Sequence, residues 1–159
     1  MTSPDRGSAY LIAKRIQAIV ETLQEELQLG PVLYGDHQKI SVNRTVCVVA
    51  GTKKRELRNA PRGTQNTLLT QVLVYHGTIE NVQQNLEACD ILAEAIEARI
   101  HQYPRLTDPN DPNDTEGLVY HSLVRTADPG YRARGAENTQ WKTHRLTVES
   151  ESLTMLPSL

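Results

Sequence analysis

The stretch from Asn66 to Ile100 constrains this chain more than any other. Asn66 to His76 reads Asn-Thr-Leu-Leu-Thr-Gln-Val-Leu-Val-Tyr-His, rich in leucine, valine, threonine and tyrosine, and Gly77 stops it. That composition predicts a strand. From Asn81 to Ile100, Val82, Leu86, Cys89, Ala93, Ile96 and Ile100 recur at three- and four-residue steps. That spacing draws one apolar stripe along a helix. Gly77, Thr78 and Asn81 between them are turn and N-cap residue types. The reading is a strand that feeds directly into the helix covering it, with the other strands paired around it.

The rest of the chain fits around that unit. Ser8 to Leu29 reads as a first helix, with Ile12, Ile16, Ile19, Leu23 and Leu27 on one face, Ser8 as N-cap and Gly30-Pro31 as the stop. Val32 to Ser41 is short and mixed, and Thr45 to Ala50 is a continuously apolar strand expected to be covered on both faces. Leu118 to Thr126 and Gln140 to Glu149 are the last two strands, with Asp128-Pro129-Gly130 read as a turn after the first of them. The expected fold class is α/β in the α+β sense: a mostly antiparallel sheet of four to five strands flanked by two long helices, in the order α-β-β-α-β-β. A length of 159 residues suits one domain with its own core, spanning 1–159. Loops near 51–65 and 104–117 are expected to project from it, and 150–159 to form an extended tail.

Charge is local rather than global. The formal net charge of -2 carries no nucleic-acid signature. The most basic segment runs from Thr52 to Gly63 and holds Lys53, Lys54, Arg55, Arg58 and Arg62; Arg132 and Arg134 recur in a later polar loop. These cations are candidates for a subunit or partner interface. The Thr52–Gly63 segment also holds Glu56 and Leu57 and no aromatic residue, so base stacking has no platform there. Glu87, Asp90, Glu94 and Glu97 lie at helical spacing on the second helix. They form an acidic stripe that is either a solvated face or a surface that repels DNA or receives a basic arm from another subunit; the resemblance described below adds the lining of a lumen as a further reading.

Catalytic and metal chemistry finds no pattern. Cys47 and Cys89 sit in apolar runs without a CxxC, which reads as buried free thiols. His37, His76, His101, His121 and His144 share no ligand spacing, although His121 and His144 would lie on adjacent strands if the last two strands pair. The tandem Asp-Pro-Asn run from Asp108 to Asn113 resembles a calcium loop in composition but not in ligand order. No nucleophile, base and orienter assemble, and no phosphate-binding or metalloprotease motif is present. The expectation is a protein that is not an enzyme, with no cofactor and no metal. No segment reads as a signal peptide or membrane span, so the expected chain is soluble and made in the cytoplasm.

Several short motifs carry a resemblance. Arg55-Glu56-Leu57, Arg62-Gly63-Thr64-Gln65-Asn66-Thr67 and Leu73-Val74-Tyr75-His76-Gly77 come first. Ala93-Glu94-Ala95-Ile96-Glu97, His121-Ser122, Asp128-Pro129-Gly130-Tyr131, Arg145-Leu146-Thr147 and Leu156-Pro157 follow. In this order and spacing the chain beyond Gly30 resembles the tail terminator proteins of long-tailed bacteriophages. The resemblance implies an α/β domain with a mostly antiparallel sheet and helices, assembled as a hexameric ring on the end of the tail tube. Such a ring stops tube polymerisation and offers a docking face to the neck. DNA passes through its lumen without sequence-specific binding. The implied partners are further copies of the chain, the tail tube protein and a neck or head-completion protein, with no membrane, and the implied location is the tail–neck junction of the virion. The alternative is another connector at that junction, a head-closure or tail-completion protein. A cellular enzyme or nucleic-acid module is the more remote reading.

Overall fold

The computed structural model describes residues 8–37, 39–58, 63–78, 82–133 and 140–155. Its elements run α1 (Ala9–Glu21), β1 (Val32–Tyr34), β2 (Thr45–Val49), β3 (Lys53–Arg58), β4 (Gly63–Thr78), α2 (Val82–His101), β5 (His121–Ala133) and β6 (Gln140–Met155). The class is α+β, around a mixed six-stranded sheet in the order β1-β2-β4-β6-β5 with β3 also on β4. β1 and β2 run parallel. The other pairings are antiparallel.

β4 is the axis of this sheet. Along one side it pairs β2 through Gln71–Tyr75 and β3 through Gly63–Leu68; along the other it pairs β6 over nearly its whole length. Its side chains alternate between two cores, as a strand's must. Leu68, Val72 and Val74 join Val46, Val48, Leu146 and Val148 beneath α1 and α2, where Ile12, Ile16, Ile19, Leu92, Ile96 and Ile100 are buried. Leu73 and Tyr75 point the other way and pack with Ile40, Cys47 and Trp141. Ile40 arrives on the link between parallel β1 and β2, so that crossover closes the smaller core. Each such aliphatic side chain contributes about 1.5–3 kcal/mol of transfer free energy when fully buried. The main core therefore commits both helices to one face of the sheet.

The expected order of elements is corrected at several points. Six strands form, in the order α-β-β-β-β-α-β-β. The extra strand is the basic segment: Lys53–Arg58 pairs with the start of β4 instead of looping out, because long β4 offers it a free ladder. Charged residues suit such an edge position. Asp128-Pro129-Gly130 is strand rather than turn, opposite Arg145, His144 and Thr143 of β6. β5 borders only β6 among the described strands, and an edge tolerates a proline that a central strand does not.

α1 also ends sooner than its apolar spacing suggests. Ser8 caps it, accepting the Leu11 N–H at 3.5 Å. It stops at Glu21, where the Thr22 hydroxyl donates to the Ile19 carbonyl at 2.6 Å. Leu23 and Leu29 stay buried through the turns that follow. At the C-terminal side, residues 150–155 are not a loose tail but the end of β6 beside β4, and 156–159 lie outside the described residues.

The segment 104–117 does not project freely. Arg15 of α1 donates to the Leu106 carbonyl at 2.7 Å and to Asp114 Oδ2 at 3.2 Å. Asp114 in turn accepts the N–H groups of Asp108 and Gly117 at 2.9 and 3.1 Å. Asp108 and Asp111 each accept an N–H two residues on, from Asn110 and Asn113, in the manner of Asx turns. Asp114 thus engages both carboxylate oxygens within the segment, and Asp108 and Asp111 one each.

Candidate interaction surfaces

The basic candidates separate into two groups. On β3, Lys53 is opposite Leu68 and Arg55 opposite Asn66, which puts both on the helix-bearing side of the sheet; Lys54, opposite Thr67, is on the other side. Lys54 and Arg55 are exposed and Lys53 half-buried. Arg58 ends β3 opposite Gly63. Arg132 lies on β5 opposite Trp141, which itself faces Thr78, so it stands at the far edge and the far end of the sheet. Arg62 and Arg134 lie outside the described residues. The sequence could not separate the groups, because nothing local in it sets the strand order.

The acidic stripe is turned about the helix axis. Cys89, Leu92, Ala93, Ile96 and Ile100 hold α2 to the sheet. Asp90 and Glu97 are half-buried, and with Glu94 they border a groove of about 310 Å³ whose other wall is Ala127 and Pro129 of β5 and His144 and Leu146 of β6. Glu87 and Glu94 are exposed. One residue that the charge pattern passed over lies between them: Ile91 is 67% exposed. Its signal was in the sequence, as an aliphatic residue off the Cys89–Ala93–Ile96 stripe.

His144 Nε2 is 3.5 Å from Asp90 Oδ1 across the floor of that groove. Burial pushes the His144 pKa below its usual value, helped by Lys142 and opposed by Asp90, Asp128 and Glu97. His121 and His144 do lie on adjacent paired strands, but in a register that keeps them apart: His121 is opposite Glu151 while His144 is opposite Pro129. Cys89 is buried under α2, and burial raises its pKa to about 11, so its thiol stays protonated and is no nucleophile near neutral pH. Among the described residues no three His, Cys, Asp or Glu side chains are arranged to hold a metal ion.

On the opposite side of the sheet a second cleft of about 400 Å³ lies among Asp36, Gln71, Asp128, Thr143 and Arg145. Arg145 and Asp128 approach to 3.5 Å there, and Arg125 and Glu149 pair at 2.6 Å nearby. On this side the smaller core holds Leu73 and Tyr75, and Leu69 is exposed.

Charge is thereby sorted across the molecule. The β3 cations sit on one edge of the sheet, while Asp90, Glu94 and Glu97 of α2 border a groove against β5 and β6. Among the described residues no helix is long and apolar enough to cross a membrane. The chain matches no protein-family model and no curated protein.

Proposed function

We propose that this chain is a structural protein of a long-tailed bacteriophage that forms a ring on the end of the tail tube. The ring halts tube polymerisation and presents a docking surface for the neck, and DNA passes through its lumen without sequence-specific contact. The motifs from Arg55 to Pro157 that resemble tail terminators support the reading at the level of family, and the six-fold number, the tube partner and the neck partner come from that resemblance alone.

The observation that carries the reading is the placement of charge. A ring closes through heterologous contacts, in which each subunit offers two different and complementary surfaces. Here Lys53 and Arg55 occupy one edge of the sheet, while Asp90, Glu94 and Glu97 of α2 border a groove against β5 and β6, and Glu87 is exposed on the same helix. Both groups lie on the side of the sheet that carries the helices. Copies placed side by side in one orientation bring unlike charges together.

The strands at these edges are guarded against indiscriminate pairing. β5 has a bulge between Val124 and Thr126 and a proline at 129, and β3 begins with two lysines. Side-chain contact, rather than an extended sheet, is the form of association these edges favour.

Electron microscopy of the chain mixed with purified tail tubes tests the proposal. The expected image is a closed ring at one end of each tube, with elongation arrested. Binding to the portal side of the head instead would assign the chain to head closure. Turnover of a small substrate, or salt-dependent DNA binding by the isolated chain, would overturn the structural reading.

A further inference from the structure

We infer that the outward ridge of α2, formed by Glu87, Ile91 and Glu94, is the seat on which β3 of a second copy docks. The inference rests on the ring reading above and specifies which residues meet.

Ile91 is the starting point. At 67% it is the most exposed large apolar side chain among the described residues. Two of the other exposed apolar groups have local company: Tyr10 and Tyr34 meet edge to face at 5.4 Å between ring centroids, with the Lys14 ammonium 5.7 Å from the Tyr34 ring. Ile91 projects between two carboxylates on a helix whose apolar duty to the core is discharged by Cys89, Leu92, Ala93 and Ile96. Ile91 itself belongs to neither buried core of the described residues. The carboxylates at three- and four-residue steps even repel one another.

A second copy answers both features. Lys53 and Arg55 share one side of β3 and stand two residues apart, about 7 Å at the strand rise. Glu87 and Glu94 are seven residues apart, about 10 Å along α2, with Ile91 between them. Two long cationic side chains at that separation can each reach one carboxylate. Their methylene stems then lie over Ile91, since lysine and arginine bury their stems while the charged heads stay near water. A contact with an apolar centre and a charged rim has the usual anatomy of a specific interface.

The use of two different surfaces gives the contact its direction. β3 stands at an edge beside β4 while α2 packs over β4, β6 and β5, so a contact between β3 of one copy and α2 of the next leaves the first copy's α2 and the second copy's β3 open for further copies. It is therefore self-propagating, and closure of the ring depends on the rotation between neighbours.

Sedimentation velocity over a concentration series, alone and with tail tubes, tests this on the full chain. The variants are Ile91→Asp, the pair Glu87→Lys with Glu94→Lys, the pair Lys53→Glu with Arg55→Glu, and all four reversals together. Ile91→Asp and each pair are expected to weaken self-association about tenfold or more. The fourfold reversal is expected to restore most of it. Circular dichroism melting confirms that each variant folds, which the exposure of Ile91 and Glu94 favours. Undiminished association of Ile91→Asp and both pairs overturns this inference and leaves the ring reading standing. So does failure of the fourfold reversal to restore association. A wild-type chain that stays monomeric both alone and on tubes overturns the two together.

Discussion

His144 shows how one residue links helix to sheet. It stands on β6 against Asp90 of α2 at 3.5 Å, and its Nδ1 is buried without a hydrogen-bond partner among the described residues. Burial lowers its pKa below 6.5, with Lys142 acting in the same sense and Asp90, Asp128 and Glu97 against it. A base whose folded pKa is depressed stabilises the fold above its unfolded pKa, and that contribution is lost as pH falls through the folded value. NMR titration is expected to place the His144 midpoint below 6.5. Asp90→Asn should move the midpoint lower still, because it removes the largest influence holding the imidazolium; an upward move would show that Asp90 acts otherwise. The acidic spacing of Asp90 was legible in the sequence, but its histidine partner was not. Residues 54 positions apart meet only because β6 returns beneath α2 (144 − 90 = 54).

Gly51 and the Asp-Pro-Asn segment work at the scale of elements. β2 and β3 lie end to end along β4, and Gly51 marks the break between them; a Cβ there would sit 1.7 Å from the Leu69 carbonyl oxygen. The glycine was legible as a strand end, but the close approach to Leu69 that requires it was not. The segment after α2 is an element in its own right, closed by Asp114 onto Asp108, Gly117 and Arg15. The N–H groups of Asp108 and Gly117 hold the Asp114 pKa below its usual 3.8, with Arg15 adding to them. That stabilisation is complete above the unfolded pKa and disappears as pH falls through the folded one. Asp114→Asn keeps the shape and removes the charge and one acceptor, so it is expected to cost about 1–2 kcal/mol in urea unfolding. The loss should be largest at neutral pH and shrink toward pH values below about 3.

Over the whole molecule, the governing feature is that unlike charges are carried on separate elements, cations on the edge strand β3 and carboxylates on α2. Contacts between exposed charges weaken as the Debye length contracts, from about 10 Å at 0.1 M salt to about 3 Å at 1 M. Self-association is therefore expected to fall steeply over that range, while the melting temperature of the chain, set by its aliphatic core, changes little. Light scattering beside a melting curve measures both. Association that strengthens with salt would point instead to an apolar contact such as the exposed Leu69 on the outer face of the sheet.

The sequence by itself determined α2, the middle of β4, the cap at Ser8 and the burial of both cysteines, because each depends on neighbours within a turn or two of chain. It also located the charged residues. Tertiary structure alone decided what those residues face. Pairing with β4 made a strand of the basic segment, pairing with β6 carried β5 straight through Asp128-Pro129-Gly130, and the strand order put β3 and Arg132 on opposite edges. The physical reason is that ladder hydrogen bonds join residues far apart in the chain and override local turn preference wherever a long strand offers a partner. The 66–100 unit thus fixed the core from one side of α2, while its other side, with Ile91 between Glu87 and Glu94, took its meaning from where the sheet ends.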